Sequence, residues 1–488
     1  MWALGLAIGA GMMTAYRPSL GLALAATVLA VGVTRARLAE WTFLTILVAV
    51  GIPIIMVRGS PQPSIDVAGY SLQLQVVLIY VTTALGVVAL LGPGSTGRFA
   101  RLAGRYSIAF VGWSLLMVVM LAYQVANGSV DSTAIKECAY YAVPMFVVVP
   151  FALARRSPES TVRLLLGALL CAATLSAVIS LAVYASPSAR AAIYGGTAWA
   201  DSARVGVGFG NASIFALSVP LSVVVLGSQG LRGWRLAGLV ISMVVTMGAL
   251  AVSLGRVPIL AVAVNVTLVL LLPRLRRFSA RRDRPLIAVV SALAAVGFLV
   301  LVGAAFGIGA LSVLPSELGD RMSRVWTFSE DTSLQGRAQT IRIAVQEWRA
   351  TPGVFVRGRG LGAKMDVYAG GSSVSYQHFS AADNSWVTVA TKGGLVMVLF
   401  MGATLLAAFL SFVRAARRAR NGTARAVWVA LAVSFPAFLV QATIMSSHYP
   451  VVPGVILAVA CLTAPADLTC TSSGRRSLPV AGRLGADK

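Results

Sequence analysis

The sequence predicts an all-α polytopic membrane protein with about 12–14 transmembrane helices and one large structured extracytoplasmic loop. Of its 488 residues, 58% are hydrophobic and 11% are charged, and the mean hydropathy is +0.83. Apolar runs long enough to cross a bilayer, about 20 residues each, recur along the chain. The 40 Lys and Arg residues, against 16 Asp and Glu, concentrate in short loops between these runs, as expected for cytoplasmic loops.

The basic balance of the chain fits membrane topology better than nucleic-acid binding. A net charge of +24 in a soluble protein would point to nucleic acid, but here it follows the alternation of spans and favours a lipid bilayer with anionic headgroups. The four cysteines and the two histidines, His378 and His448, lack metal-ligand spacing and suggest no disulfide framework. We therefore predict no cofactor, no metal site and no nucleic-acid partner.

The first region, residues 1–313, is predicted to consist of transmembrane helices with short loops. Its predicted spans are Met1–Tyr16, Pro18–Thr34, Trp41–Val57, Leu72–Leu91, Tyr106–Ala126, Ala139–Ala154, Leu164–Tyr184, Asn211–Leu226, two within Leu236–Leu272, and Leu286–Leu311. The long apolar stretch Leu236–Leu272 exceeds one span at 1.5 Å per residue. We expect it to divide near Ser253–Arg256, with Pro258 at the start of the second helix.

The basic loop Arg274–Arg284 carries six arginines against one aspartate and sets the predicted orientation. Residues 314–382 then form the extracytoplasmic loop, residues 383–466 the C-terminal transmembrane helices, and residues 467–488 a basic cytoplasmic tail. The spans of the third region are Asn384–Phe412, Ala426–Met445 and Val451–Ala464. Both termini are predicted to be cytoplasmic. The count is about fourteen, or twelve if the first two apolar runs do not both cross.

The large outer loop contains a predicted amphipathic helix at Arg337–Arg349. Its apolar residues Ala338, Ile341, Val345 and Trp348 fall on one helical face, and Arg342, Gln346 and Arg349 fall on the other. The helix is expected to stop at Thr351-Pro352-Gly353 and to lie against the membrane face of the bundle.

Four segments of the sequence stand out as motifs. They are Arg204 through Asn211 leading into a helix; Ser253-Leu-Gly-Arg256; Gly336-Arg337 through Trp348 to Pro352, followed by Gly358-Arg-Gly-Leu-Gly362; and Asp383-Asn384-Ser385-Trp386 with Lys392-Gly-Gly-Leu395. Together they resemble segments of the bacterial O-antigen ligase and Wzy-type polysaccharide polymerase superfamily. The likeness covers roughly Ala185–Phe412, and it lies in the order and spacing of these segments around one outer loop.

The resemblance implies the membrane glycosyltransferase fold called GT-C and a site on the outer face of the bacterial inner membrane. The implied donor is a polyprenyl-diphosphate-linked glycan, and the implied acceptor is the hydroxyl of a glycan or a lipid. Ligases of the family place His before the Asn of the fourth segment, whereas this chain has Asp383. That departure favours a polymerase over a ligase, although His378 lies close by. An envelope-biosynthesis complex is a further expected partner.

Four arginines are candidate ligands for the diphosphate of such a donor. Guanidinium groups bind phosphate oxygens bidentately and stabilise charge that develops on a leaving group. Arg256 lies at predicted membrane depth, where a charge indicates function unless it snorkels to the interface. Arg204 could equally be an ordinary loop cation. Arg337 and Arg359 are further candidates in the outer loop.

The acceptor hydroxyl requires a base, and the candidates are His378, Asp383 and Glu347. Each candidate also has a non-catalytic explanation. His378 could be an exposed loop histidine, Asp383 the N-cap of the following helix, and Glu347 a surface carboxylate.

Candidate glycan-binding residues are Tyr376, Asn384 and Trp386. Aromatic anchoring at the membrane interface would explain Tyr376 and Trp386 as well. The alternative to an enzyme is a transporter, either a lipid-linked glycan flippase or another secondary transporter. Internal repeats would favour a transporter, and none is evident. A non-catalytic scaffold of an envelope complex also fits the sequence.

Overall fold

The computed structural model describes part of the chain, and this part is mostly helical. The described residues are 43, 45–47, 64–67, 70–74, 76–82, 107–141, 158–185, 215, 218–223, 225, 233–252, 256–271, 332–363, 365–368, 376–379, 385–419, 425 and 427–435. The helices with both ends among the described residues are α1 (Ser107–Ala126), α2 (Ser132–Tyr141), α3 (Pro158–Ala185), α4 (Trp234–Val252), α5 (Arg256–Leu271), α6 (Thr332–Ala350), α7 (Pro352–Arg357) and α8 (Ser385–Arg418).

Three of the described helices are long and apolar enough to cross a membrane. The qualifying stretches are Leu165–Ala182 in α3, Trp234–Ala251 in α4 and Trp386–Arg418 in α8. The apolar stretch Leu115–Ala126 of α1 is shorter. These helices agree with the predicted helical membrane protein. Much of the predicted series of 12–14 spans falls outside the described residues.

Helices α3 and α4 pack side by side and run in the same direction. The hydroxyls of Thr174 and Ser242 lie 2.5 Å apart, and one to two turns further along both helices Leu181 contacts Gly248. Parallel neighbours require another crossing between them in sequence, where the span Asn211–Leu226 is predicted. The expected division of Leu236–Leu272 is confirmed, because α4 ends at Val252 and α5 begins at Arg256.

A tight polar turn connects α1 to α2. Gly128 has a φ of 64°, and the backbone N–H of Ser129 donates to the Gln124 carbonyl at 2.9 Å. The Asp131 carboxylate caps α2 by accepting from the N–H of Ala134 at 2.6 Å. Helix α2 then packs back along α1, where the Cys138 thiol lies 3.7 Å from the Met117 carbonyl oxygen.

Two short antiparallel hairpins accompany the helices. Strand β1 (Ser64–Val67) pairs with β2 (Tyr70–Gln73), and β3 (Met365–Tyr368) pairs with β4 (Tyr376–Phe379). The first hairpin shifts the beginning of the predicted span Leu72–Leu91, because the chain is still paired as a strand through Gln73. The second hairpin lies inside the predicted outer loop and was not anticipated.

The predicted amphipathic helix of the outer loop corresponds to α6, which is longer than expected. Its buried face centres on Ala344, with Ile341 and Val345 partly buried beside it, whereas Ala338 is exposed. Ala338 lies on the predicted apolar face, but burial of that face is concentrated in the C-terminal half of α6. After α6 ends at Ala350, Pro352 occupies the first turn of the additional helix α7.

Helix α8 is not one straight span, because the chain reverses its direction at Gly394. Gly394 has a φ of 63° and a ψ of −160° within the helix. A straight helix would separate Trp386 from Gly402 by about 24 Å. The tip of the Trp386 ring lies only 4.0 Å from the position that a β-carbon on Gly402 would take. The stretch Trp386–Arg418 is one of the three candidate spans, and the reversal at Gly394 interrupts it within the predicted span Asn384–Phe412.

The reversal divides α8 into a short arm, residues 385–393, and a long arm, residues 395–418. The long arm measures about 36 Å and can cross a bilayer by itself. The short arm is too short to cross, and its residues from Val387 to Lys392 are all buried. A helix end of this kind is tolerated at membrane depth only where protein surrounds it. Arg414, Arg417 and Arg418 lie at the far end of the long arm, opposite the reversal.

Candidate functional site

The glycine loop, residues 358–362, docks against the carbonyl end of the short arm of α8. The short arm ends at the reversal, so its last carbonyl groups lack the next turn of helix as partners. The N–H of Arg359 donates to the Thr391 carbonyl at 2.8 Å, and the N–H of Gly360 donates to the Lys392 carbonyl at 2.8 Å. Two segments that carry the family resemblance therefore meet through their backbones.

Three glycines with positive φ give the glycine loop its shape. The φ angles are 72° at Gly358, 102° at Gly360 and 75° at Gly362. A β-carbon on Gly358 would overlap the Lys392 carbonyl, one on Gly360 would lie 2.8 Å from the Gln124 amide nitrogen, and one on Gly362 would lie 2.6 Å from an Asp131 carboxylate oxygen. Glycine is required here for both conformation and close approach.

Helices α1 and α2 hold the other side of the glycine loop. The Gln124 side chain of α1 donates from Nε2 to the Leu361 carbonyl at 2.8 Å. The Glu137 carboxylate of α2 accepts from the Gly362 N–H at 2.7 Å through Oε2. The loop is thus held by backbone or side-chain partners from three helices.

A buried ion pair joins α2 to the short arm of α8 directly beneath the glycine loop. The Lys392 ammonium donates to Oε1 of Glu137. The side chains are 1% and 13% exposed, respectively. Burial raises the pKa of Glu137, and the Lys392 ammonium and the Gly362 N–H oppose that rise. A charged pair removed from water in this way is costly unless both partners are hydrogen-bonded.

One arginine of the glycine loop reaches the surface above this buried pair. Arg359 points outward from the glycine loop, is 39% exposed, and pairs with Glu347 of α6 at 3.3 Å. Three more exposed arginines lie on the neighbouring helices, namely Arg342 and Arg349 of α6 and Arg357 of α7. The rings of Trp348 and Phe355 stack at a centroid distance of 4.5 Å and fix α6 to α7.

The structure brings together two of the predicted site residues, Glu347 and Arg359, and places five others on elements. His378 and Tyr376 lie on β4, where they pair in register with Asp366 and Tyr368 of β3. The remaining three are at the first position of α5 (Arg256), within α6 (Arg337) and in the first turn of α8 (Trp386). Arg204, Asp383 and Asn384 lie outside the described residues.

Three residues that shape the site were not predicted: Gln124, Glu137 and Lys392. The signal for Lys392 was its position as a lone cation within an apolar run, which at membrane depth calls for a partner. The sequence does not identify Glu137 as that partner, because the pair joins positions 255 residues apart. In the described part of the chain, no group of three or more His, Cys, Asp or Glu residues could hold a metal ion.

The site combines the buried ion pair of Glu137 and Lys392 with the exposed guanidinium group of Arg359, at the start of the long arm of α8. Exposed guanidinium groups at such a position can bind phosphate oxygens. No protein-family model matches the chain, and neither does any curated protein.

Proposed function

We propose that this protein is a glycosyltransferase of the bacterial inner membrane that moves a glycan from a polyprenyl-diphosphate donor to an acceptor hydroxyl. The observation that carries the proposal is the docking of the glycine loop on the helix reversal at Gly394. This contact holds Arg359 outward at the end of the bundle. A guanidinium group there suits a diphosphate headgroup, because it can bind two oxygens at once.

The apolar surface next to this site suits the hydrocarbon part of the proposed donor. Helix α1 exposes Leu115, Val119 and Tyr123, each more than half exposed, and leads toward the turn beside the glycine loop. The long arm of α8 exposes Leu399 and Leu406 in the same way. A donor with a prenyl chain against such a surface would place its diphosphate near the arginines.

In the proposed reaction, the acceptor oxygen forms a bond to the anomeric carbon while the bond from that carbon to the phosphate oxygen breaks. Polyprenyl diphosphate leaves, and arginines stabilise the charge on it. Arg204 and Arg256 remain proposed diphosphate ligands together with Arg337 and Arg359. The proton of the acceptor hydroxyl passes to a base, for which His378 and Asp383 remain candidates. Glu347 is a weaker candidate, because it pairs with Arg359.

The identity of the acceptor decides whether the protein is a polymerase or a ligase. A second lipid-linked glycan would make the protein a polymerase, which the Asp383 departure favours. Another glycan or lipid hydroxyl would make it a ligase. The active site is proposed to face the extracytoplasmic side, because Arg414, Arg417 and Arg418 mark the other end of α8 as cytoplasmic.

The test is incubation of the purified protein, in lipid nanodiscs, with a polyprenyl-diphosphate oligosaccharide, followed by separation of the products by size. A ladder of products indicates a polymerase, and a single shift that requires an added acceptor indicates a ligase. Arg359→Ala should lower transfer about tenfold, mainly through a higher KM for the donor. Arg417→Ala is the control, because Arg417 is also exposed but lies at the other end of α8. An intact donor after incubation with the wild-type protein would refute the proposal.

A lipid-linked glycan transporter is the second candidate, and one observation favours it. Transporters commonly use broken helices with charged groups near the middle of the membrane, and α8 combines a reversal with the buried pair of Glu137 and Lys392. Proteoliposomes containing a fluorescent lipid-diphosphate oligosaccharide distinguish the two. Movement of the label between leaflets without a change in its size would favour the transporter.

A further inference from the structure

We infer that Glu137 and Lys392 are positioning residues for the diphosphate site: together they set the conformation of the glycine loop that presents Arg359. This inference rests on the proposed function for the identity of the ligand. Its structural part, control of the loop by the buried pair, does not. Neither residue is placed to touch a substrate, because the two side chains are 13% and 1% exposed.

The two oxygens of the Glu137 carboxylate bind two different partners. One oxygen accepts from the Lys392 ammonium, and the other accepts from the Gly362 N–H at 2.7 Å. A single side chain of α2 thereby connects the reversal of α8 to the end of the glycine loop. The ammonium orients the carboxylate, and the carboxylate fixes the loop.

The Lys392 backbone also holds the glycine loop. Its carbonyl accepts from the Gly360 N–H at 2.8 Å, and the adjacent Thr391 carbonyl accepts from the Arg359 N–H at 2.8 Å. Lys392 therefore holds the loop from its main chain and from its side chain, the latter through Glu137. A shift of the short arm would move both ends of the loop together.

The backbone of the glycine loop is held by hydrogen bonds, whereas the Arg359 side chain is exposed. The N–H groups at 359, 360 and 362 and the carbonyl of Leu361 all have partners in α1, α2 or α8. The Arg359 side chain extends to the surface, where Glu347 contacts it. Fixing the backbone therefore limits where the guanidinium group can reach, which is how a supporting residue affects a binding group.

Two matched double variants separate the loop contact from the ion pair. Glu137→Gln with Lys392→Met removes both charges but retains an oxygen that can accept from Gly362. Glu137→Met with Lys392→Met removes the charges and the acceptor. Hydrogen exchange of the peptide covering residues 358–362, in nanodiscs, reports the protection of the loop. We expect exchange about tenfold faster in the second variant than in the first.

Peptides of α3 and α4 serve as the internal reference for the integrity of the fold, because the glycine loop makes its contacts with α1, α2 and α8. A third variant, Gly362→Ala, disturbs the same end of the loop without altering either charge, because its β-carbon would lie 2.6 Å from an Asp131 oxygen. It should increase exchange in the loop in the same way. Equal loop exchange in the two double variants, with α3 and α4 unchanged, would overturn the inference.

The glycan-transfer assay tests whether the two residues position Arg359, through KM and kcat. The Met/Met variant should raise the KM for the lipid-diphosphate donor about tenfold and change kcat much less, as expected for Arg359→Ala. An equal loss of kcat in both double variants, with KM unchanged, would refute a positioning role. If the wild-type protein transfers no glycan, the proposed function fails. The exchange result then still decides whether the acceptor at position 137 controls the loop.

Discussion

Glu137 and Lys392 form a buried ion pair across 255 positions of sequence, and this pair connects α2 to the reversal of α8. The contact lies where a broken helix would otherwise leave polar groups without partners in an apolar bundle. Because each partner is satisfied mainly by the other, removing one charge should be far more damaging than removing both.

We expect Lys392→Met and Glu137→Gln each to lower the free energy of unfolding by about 3–5 kcal/mol, because each leaves one uncompensated buried charge. The double variant should lose much less than the sum of the two single losses. Thermal unfolding of the four proteins in one detergent gives the coupling energy. The exposed pair of Arg359 and Glu347 is the control, with an expected coupling of about 0–1 kcal/mol. Additive losses at Glu137 and Lys392 would contradict the prediction.

The stability of Lys392→Met should depend on pH with a definite sign. Burial raises the pKa of Glu137 and nearby Asp131 adds to this, whereas Lys392 and the Gly362 N–H oppose it. Without Lys392 the folded-state pKa should rise further above the unfolded value. The folded state then binds the proton more tightly, so the stability is present at low pH and is lost as pH rises through the folded pKa.

The measurement for this prediction is the unfolding midpoint of Lys392→Met relative to wild type between about pH 5 and about pH 8. The deficit of the variant should grow as pH rises. Glu137→Gln with Lys392→Met is the control, because it has no carboxylate to titrate at this position and should show little of that trend. A deficit that shrinks with rising pH would mean that Glu137 is not the titrating group.

Some features of this fold follow from local sequence patterns, and others depend on tertiary packing. Local patterns were sufficient for two features: periodicity predicted the polar face of α6, and the length of the apolar stretch predicted the division between α4 and α5. They were not sufficient for the reversal at Gly394. The two glycines at 393 and 394 permit a break, but only packing of Trp386 near Gly402 shows that the chain folds back.

The candidate site was partly predictable for the same reason. The glycine loop and the Lys-Gly-Gly-Leu segment were recognised as motifs, but their contact through the Arg359 and Gly360 N–H groups is tertiary. Glu137 carries no local signal beyond being one carboxylate before an apolar run. A single sequence does not show which cation will pair with Glu137.

We expect Gly358→Ala and Gly394→Ala to be strongly destabilising, by more than about 1 kcal/mol each. Both glycines have positive φ, and a β-carbon would overlap the Lys392 carbonyl in the first case and the Val356 carbonyl in the second. The matched controls are Gly167→Ala and Gly238→Ala in α3 and α4, where a β-carbon meets nothing within 4 Å. The controls should be stabilised by roughly 0.5–1 kcal/mol. Equal effects in the two sets would argue against the docked loop.

The reversal of α8 can be measured directly with spin labels at positions 386 and 402 in a background without the native cysteines. A straight helix places these positions about 24 Å apart, whereas the reversal brings them close enough for strong dipolar broadening. A label pair at 402 and 418, both within the long arm, is the control and should give about 24 Å. A distance near 24 Å for both pairs would show that α8 is continuous.

The predicted arginine ligands Arg204 and Arg256 provide the sharpest test of the chemistry. Arg256→Ala and Arg204→Ala should each abolish glycan transfer while the protein remains in the membrane at the wild-type level, because each would remove a cation that stabilises the departing diphosphate. Arg256 opens α5 directly after the break that follows α4, a position at which a charge indicates a functional role. Arg417→Ala, at the opposite end of the bundle, should transfer normally. Wild-type product from either variant would remove that arginine from the mechanism.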